Sequence, residues 1–347
     1  MSNLETRPSE QVCGAGSGTG VELLGSREVP LGGPRALTVR RTVPQRRRSL
    51  IGAWCFCDHY GPDDVAAAGG MQVPPHPHIG LQTVTWLFAG EILHRDSLGT
   101  SQRVRPGELN LMTAGHGISH SEESPADTAA HPRPPTLHGV QLWTVLPAAA
   151  KDARPEFEHH GELPTAVLDG ARVRVLMGSL RVAGTRLASP ARTFSPLVGA
   201  QLDLPPHTVL DLETDPGFEH GVLVDSGEAT VAGTPVPPSD LAYVPAGRRG
   251  LRLTAGAAPV RALLIGGVPF DEDVVMWWNF VGRDHEEIVA ARRAWTEQVA
   301  EQADGTTAYA RGAAGRRFGQ VEGYATGPLR APELPDVRLR PRRRPGR

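Results

Sequence analysis

The residues best suited to chemistry lie between Pro74 and Ser124. Pro74-Pro75-His76-Pro77-His78 opens the stretch and His120-Ser121-Glu122 closes it. Each pair is spaced i, i+2, which on a strand places both side chains on one face. Pro77, its φ fixed near the extended range, holds the first pair straight. Two such strands side by side would offer three nitrogens and one oxygen, from His76, His78, His120 and Glu122, to one metal ion. Three neutral imidazoles and a carboxylate suit Fe, Mn, Co, Ni, Cu or Zn, and no thiolate is in the set to favour a structural zinc. An octahedral ion so held keeps open positions, and Fe(II) there could take a chelating substrate or dioxygen.

The other histidines lack this pattern. His94 lies in a polar strand-and-turn segment, His94-Arg95-Asp96-Ser97, and is read as structural. His159 and His160 are adjacent, so on a strand they face opposite ways and cannot both chelate. His207 and His220 have no i+2 partner, so no metal is expected in the second half. Glu123 points away from Glu122 and is expected to be solvated. Cys13, Cys55 and Cys57 offer C-x-C rather than C-x-x-C and read as incidental or buried thiols in a reducing cytosol. No G-x-S-x-G, Walker A or dinucleotide fingerprint is present.

The elements that must position these groups read as strands. Leu81 to Phe88 is β-rich, Pro106-Gly107 suits a type II turn, and Leu109 to Met112 leads into the second ligand pair. In Gly52 to His59, Trp54 and Phe56 are expected on one face and Cys55 and Cys57 on the other. The second half repeats the rhythm of short strands separated by Gly, Pro or Asp, which suggests a β-sandwich or barrel. The 40 Gly and 32 Pro among 347 residues favour turns over helices. One helix is expected, with Asp284 as N-cap, Glu287 completing a capping box, Ile288, Ala291, Trp295 and Val299 on the apolar face, and Gly305 as the stop. Beyond it Phe318, Tyr324, Leu329, Leu334 and Val337 are spaced to pack an extended tail on the body, and Trp277, Trp278 and Phe280 are expected to fix the contact between the halves or to cover that tail. Arg46-Arg47-Arg48 and Arg342-Arg343-Arg344 read as solvated basic segments. A net charge of −2 excludes a surface wholly devoted to nucleic acid. No run of about 18 apolar residues and no signal peptide is visible, so a cytoplasmic location is expected.

The forms His76-Pro77-His78, Met112-Thr113-Ala114-Gly115, His120-Ser121-Glu122 and Val275-Met276-Trp277-Trp278-Asn279-Phe280-Val281 resemble the pirin family of the cupin superfamily. The resemblance spans roughly Leu37 to Trp295. It implies an all-β bicupin: two β-barrel or sandwich (jelly-roll-like) domains with a C-terminal helix and an extended tail. The corresponding division is a leader over 1–30, a metal-bearing cupin over 31–160, a metal-free cupin over 161–283, a helix over 284–304 and a tail over 305–347. The resemblance carries a single iron, Fe(II), onto His76, His78, His120 and Glu122. It implies quercetin 2,3-dioxygenase activity, a flavonol ring opened with O2, with Glu122 as the base. The alternative it implies is a non-catalytic iron-binding regulator acting through protein partners, with no direct binding to nucleic acid or membrane. Two positions depart from the related patterns. Gln82 stands where the general cupin motif has Glu, so the carboxylate must come from Glu122. His116 stands where pirins often have Arg; it is read either as a donor or pH-sensitive group at the pocket mouth or as a solvent-facing loop residue.

Overall fold

The computed structural model describes residues 20–30, 38–65, 70–303 and 316–341. Two β bodies account for most of it. In the first, a seven-stranded sheet runs in the order Glu156–His160, Leu109–Thr113, Leu81–Ala89, Thr136–Val145, Trp54–Asp64, Thr38–Val43, Arg27–Pro30. A four-stranded sheet, Gln72–His78, Ile118–Glu123, Ile92–Asp96, Ser101–Val104, closes over it. The two sheets meet in an apolar cluster of Val73, Ile92 and Val104 with Val39, Tyr60 and Leu87. The second body is a twelve-stranded sheet with its own core of Val, Leu and Ala. Its outer strands alternate as half-buried strands must: Leu210 and Leu212 are buried while Val209, Asp211 and Glu213 face water. Among the described residues no helix is long and apolar enough to cross a membrane.

The described part of the expected leader is strand. Glu22–Leu24 pairs with Leu241–Val244 in the second body, and Arg27–Pro30 pairs with Thr38–Val43 in the first. The short alternations that place Leu24 and Val29 inside are too brief to stand out in a Gly/Ser-rich segment. Cys13 lies outside the described residues. Trp54 and Phe56 go to different bodies, contrary to simple alternation. The indole N–H of Trp54 lies 3.1 Å from both Val198 O and Gly266 O, whereas Phe56 stacks on Trp143 with centroids 4.0 Å apart. A register shift between them supplies the extra residue that breaks the period. Cys55 and Cys57 are buried thiols, and burial pushes Cys57 up to about 12, which makes it inert.

The two bodies share one core. Ile51, Trp54 and Leu142 pack with Leu176, Leu197, Leu223 and Ile265. Buried Glu219 ties them further, accepting from Gly52 N at 2.7 Å and from the Tyr243 hydroxyl at 2.8 Å. At Pro106-Gly107 the turn closes with Glu108 N donating to Arg105 O at 3.0 Å, and Gly107 takes φ +91°.

The helix runs His285–Ala303, with Asp284 Oδ1 accepting from Glu287 N at 2.8 Å as an N-cap. Ile288, Ala291 and Trp295 are buried and Val299 partly so; Gly305 lies outside the described residues. Their partners are Trp278, Phe280 and Phe318, together with Ile79 beside the first ligand pair. The Trp277–Phe280 aromatics fill both expected roles: they pack under the helix and tail, and Phe280 is bridged to Ile79 of the first half. The tail follows the expected extended course at Phe318, Leu329 and Leu334, but Val337 is exposed and Leu339 packs instead. The backbone there points Val337 outward, while Leu339 N donates to the His285 ring at 3.2 Å. Arg342 to Arg344 lie outside the described residues.

Candidate metal centre

The two ligand-bearing segments are neighbouring antiparallel strands. Gln72–His78 pairs with Ile118–Glu123 in a register that sets His120 opposite His76 and Glu122 opposite Val73, so the extra residue of the irregularity lies in the first strand, at Pro74-Pro75. Ring nitrogens of His76, His78 and His120 lie within 4.8 Å of one another. All four side chains are fully buried. Burial first, and the neighbouring imidazoles with it, hold the three histidines well below their ordinary pKa. They are therefore neutral at neutral pH, the form that ligates metals.

The second ring nitrogen of each histidine explains its orientation. His76 Nδ1 donates to Pro74 O at 2.8 Å and His78 Nδ1 to Asn279 O at 3.0 Å. His120 Nδ1 lies 3.3 Å from His94 Nδ1. With the proton on Nδ1, each Nε2 carries a lone pair. Among the described residues, the Nε2 atoms of His76, His78 and His120 are buried without a hydrogen-bond partner. Leaving such an acceptor dry costs about 1–3 kcal/mol each, and three at one point fit a cation that accepts their lone pairs. Residues and site thus suit a single divalent ion.

Glu122 is steadied from the opposite sheet. Thr85 Oγ1 lies 3.0 Å from Glu122 Oε1 and 3.1 Å from Gln141 Oε1, and its single proton goes to the carboxylate. Cross-strand pairing extends this into a polar row, Arg41, Asp58, Gln141, Thr85, Asn110, His159, across five neighbouring pairs. Arg41 and Asp58 close one end as a buried bidentate pair at 2.6 and 2.7 Å. His78 meets the edge of Trp143 at 5.2 Å between ring centroids.

Three functional features escaped the sequence reading. His94, read only as structural, is buried at the centre; it pairs with Glu122 across the strands and reaches Asp96 Oδ2 at 3.2 Å. The spacing His94-Arg95-Asp96, again i, i+2, was the available signal. Asn279 brings a carbonyl from the second half to His78, a contact no local pattern foretells.

The third is a second cluster. His59 and His138 each place Nε2 against Asp225 Oδ1, at 2.7 and 2.6 Å, between the bodies. Burial lowers the His59 pKa, and the two imidazoles hold Asp225 well below the carboxylate range against the opposing effect of burial. This group is less suited to a metal than the first. Arg40 Nε and Nη2 face His59 Nδ1 at 3.4 and 3.3 Å, so the lone pair sits on Nδ1 and the proton on Nε2, donating to Asp225. Arg261 adds a second guanidinium at 3.3 Å. The cluster is a satisfied hydrogen-bond network joining the two bodies.

The remaining expectations divide. His116 is exposed on its loop, its carbonyl taken by Arg317 Nε at 2.7 Å, as the solvent-facing reading required. His159 and His160 turn to different partners, Asn110 Oδ1 at 2.8 Å and Glu158 at 3.0 Å. Glu123 is ion-paired with Arg95 rather than simply solvated, because the strand pairing sets the two side chains close. Gln82 donates to Thr113 Oγ1 at 3.0 Å and accepts from Thr144 at 3.1 Å, a structural role.

Two cupin-type β bodies in one chain, the first enclosing a buried group of His76, His78 and His120 and, sharing His120, a second of His94, His120 and Glu122, define a bicupin. The chain belongs to the pirin family: the Pirin model matches residues 36–144 and the Pirin C-terminal cupin domain model residues 199–300. A Pseudomonas aeruginosa protein named "Putative quercetin 2,3-dioxygenase" is 43% identical over 89% of each chain. A Caulobacter vibrioides protein named "Pirin-like protein" is 32% identical over 74% of this chain and 87% of its own. The crystal structure of a quercetin 2,3-dioxygenase from Acinetobacter baumannii superposes with a TM-score of 0.81 at 35% identity, covering 93% of this chain and 98% of the other.

Proposed function

We propose that His76, His78, His120 and Glu122 hold one metal ion, Fe(II) in the first instance, and that the protein is a quercetin 2,3-dioxygenase-type enzyme opening flavonols with O2 and releasing carbon monoxide. In this reading residues 31–160 form the metal-bearing cupin and 161–283 the metal-free one. The observation that carries the metal is the set of three buried Nε2 atoms without a partner among the described residues. The names of the Pseudomonas and Acinetobacter relatives support the substrate class.

A bound divalent ion lowers the pKa of a hydroxyl placed on it, here the flavonol 3-hydroxyl. Glu122, its carboxylate fixed by Thr85, is the group that would take the proton. Trp143, backed by Phe56, stands edge-on beside His78 and suits contact with an aromatic ligand. Gln141 Nε2, Trp143 Nε1 and the Tyr60 hydroxyl are buried polar atoms without a partner among the described residues, and they suit an oxygen-rich ligand.

The test is quercetin consumption and carbon monoxide release in air by Fe(II)-loaded protein, with an EDTA-treated control. Turnover that depends on the metal supports the reading. No turnover by the loaded protein across several flavonols overturns it in favour of a metal-dependent regulator.

A further inference from the structure

His120 differs from its two partners in what holds it. His76 and His78 give their Nδ1 protons to backbone carbonyls, which can only accept. His120 faces another imidazole, His94 Nδ1, which can accept or donate. Something must fix which. Asp96 Oδ2 lies 3.2 Å from His94 Nε2, and an ionised carboxylate only accepts, so the His94 proton stands on Nε2. His94 Nδ1 then carries a lone pair, His120 Nδ1 carries the proton, and His120 Nε2 is left bare toward His76 and His78. Asp96 is itself fixed by the turn after its strand: Oδ1 accepts from Leu98 N at 2.9 Å and from Thr100 N at 3.1 Å. Phe157 stacks on His94 at 4.6 Å and holds the ring plane.

We propose that Asp96 and His94 are positioning residues that set the tautomer of His120 and so make its Nε2 a ligand. This rests on the reading of His120 as a ligand of the proposed metal. The argument predicts an unusual effect for Asp96→Asn. Leu98 N and Thr100 N are donors and claim the amide oxygen, which turns the NH2 toward His94. That donor draws the lone pair to His94 Nε2 and its proton to Nδ1. His120 must then present a lone pair at Nδ1 and carry its proton on Nε2, where the metal should bind.

The tautomers can be read without metal, by two-bond 1H–15N correlation on histidine-labelled apo protein. Wild type should show His120 protonated at Nδ1, and Asp96→Asn should show it protonated at Nε2. Affinity for Co(II) alone, from chelator competition, should fall about 10–100-fold in Asp96→Asn, the usual effect of losing a partner that orients a ligand. His94→Leu removes the acceptor and should weaken Co(II) similarly. His94→Gln keeps an acceptor for His120 and a donor for Asp96 and should restore most of the affinity. Should Asp96→Asn fail to fold, the Leu and Gln pair at position 94 decides the matter. An Nδ1-protonated His120 in Asp96→Asn, or Leu and Gln variants with equal Co(II) affinity, overturns the proposal. Because the tautomer is measured in the apo protein, a wild type inactive on flavonols would refute the enzymatic reading and leave this one standing.

Discussion

Replacing Glu122 by Gln separates holding a metal from moving a proton. The amide keeps the length of the side chain and an oxygen that can still accept from Thr85 Oγ1, now 3.0 Å from Oε1. Fully buried surroundings leave it little room to adopt another pose. What is lost is the charge and with it the ability to take the flavonol proton. General base catalysis supplies about 10²–10⁴-fold, or about 2.7–5.4 kcal/mol at 1.36 kcal/mol per tenfold. A neutral oxygen also binds a divalent ion less well, so rates must be expressed per bound iron. The variant should retain part of its iron through the three imidazoles, and its quercetin turnover per iron should fall by about that factor. The assay is single-batch iron quantification beside initial rates in air. An unchanged rate per iron would remove Glu122 from the chemistry and leave it a ligand only.

His78→Ala and His120→Ala should each lose most of the metal, measured by elemental analysis, while the circular dichroism spectrum persists; His116→Ala should keep its metal. Gly80→Ala should weaken metal binding without touching a ligand, because at φ +69° its Cβ would lie 2.1 Å from Val281 O and push out the hairpin that carries Asn279. Strain at one such position costs about 1–3 kcal/mol, readable by denaturant titration beside Co(II) binding. Burial lowers His220 to about 4 in the fold, so the unfolded chain binds that proton first as pH falls. The corresponding stability is present above pH about 6.5 and is lost toward pH about 4, amounting to about 3 kcal/mol at 1.36 kcal/mol per pH unit. His220→Gln should flatten that part of the pH–stability curve of the apo protein.

Much of the candidate site was legible because strand geometry writes it at period 2. His76 with His78 and His120 with Glu122 each needed only an extended backbone to share a face. The same rule would have found His94 and Asp96, but the intervening Arg95 and the following Ser97 made the segment look like a polar strand and turn with a merely structural histidine. What the residues alone did not disclose depends on long-range pairing. His59 and His138 are 79 residues apart, and Asp225 is a further 87 beyond His138 in the other body. Helix capping at Asp284 and the turn at Pro106-Gly107 were local and could be read directly. The bulge between Trp54 and Phe56 breaks the alternation, and only the partner strand reveals it.

The two His–carboxylate groups show why residue type alone does not define a metal site. Both contain buried imidazoles and an acid. In one, carbonyls occupy the Nδ1 atoms of His76 and His78, His94 faces that of His120, and the three Nε2 atoms meet no partner among the described residues. In the other, Arg40 occupies His59 Nδ1 as a donor, which turns the ring's remaining proton onto Asp225. The partner on the far nitrogen thus decides whether a histidine ligates or donates. For His78 that partner is Asn279 O, which comes from the second half of the chain. The second half contributes none of the four candidate ligands, yet its hairpin, with Phe280 bridged to Ile79, fixes the tautomer of one of them. The hairpin that follows the second body therefore takes part in building the candidate centre, and the Trp277–Phe280 motif belongs with the ligands as much as with the core.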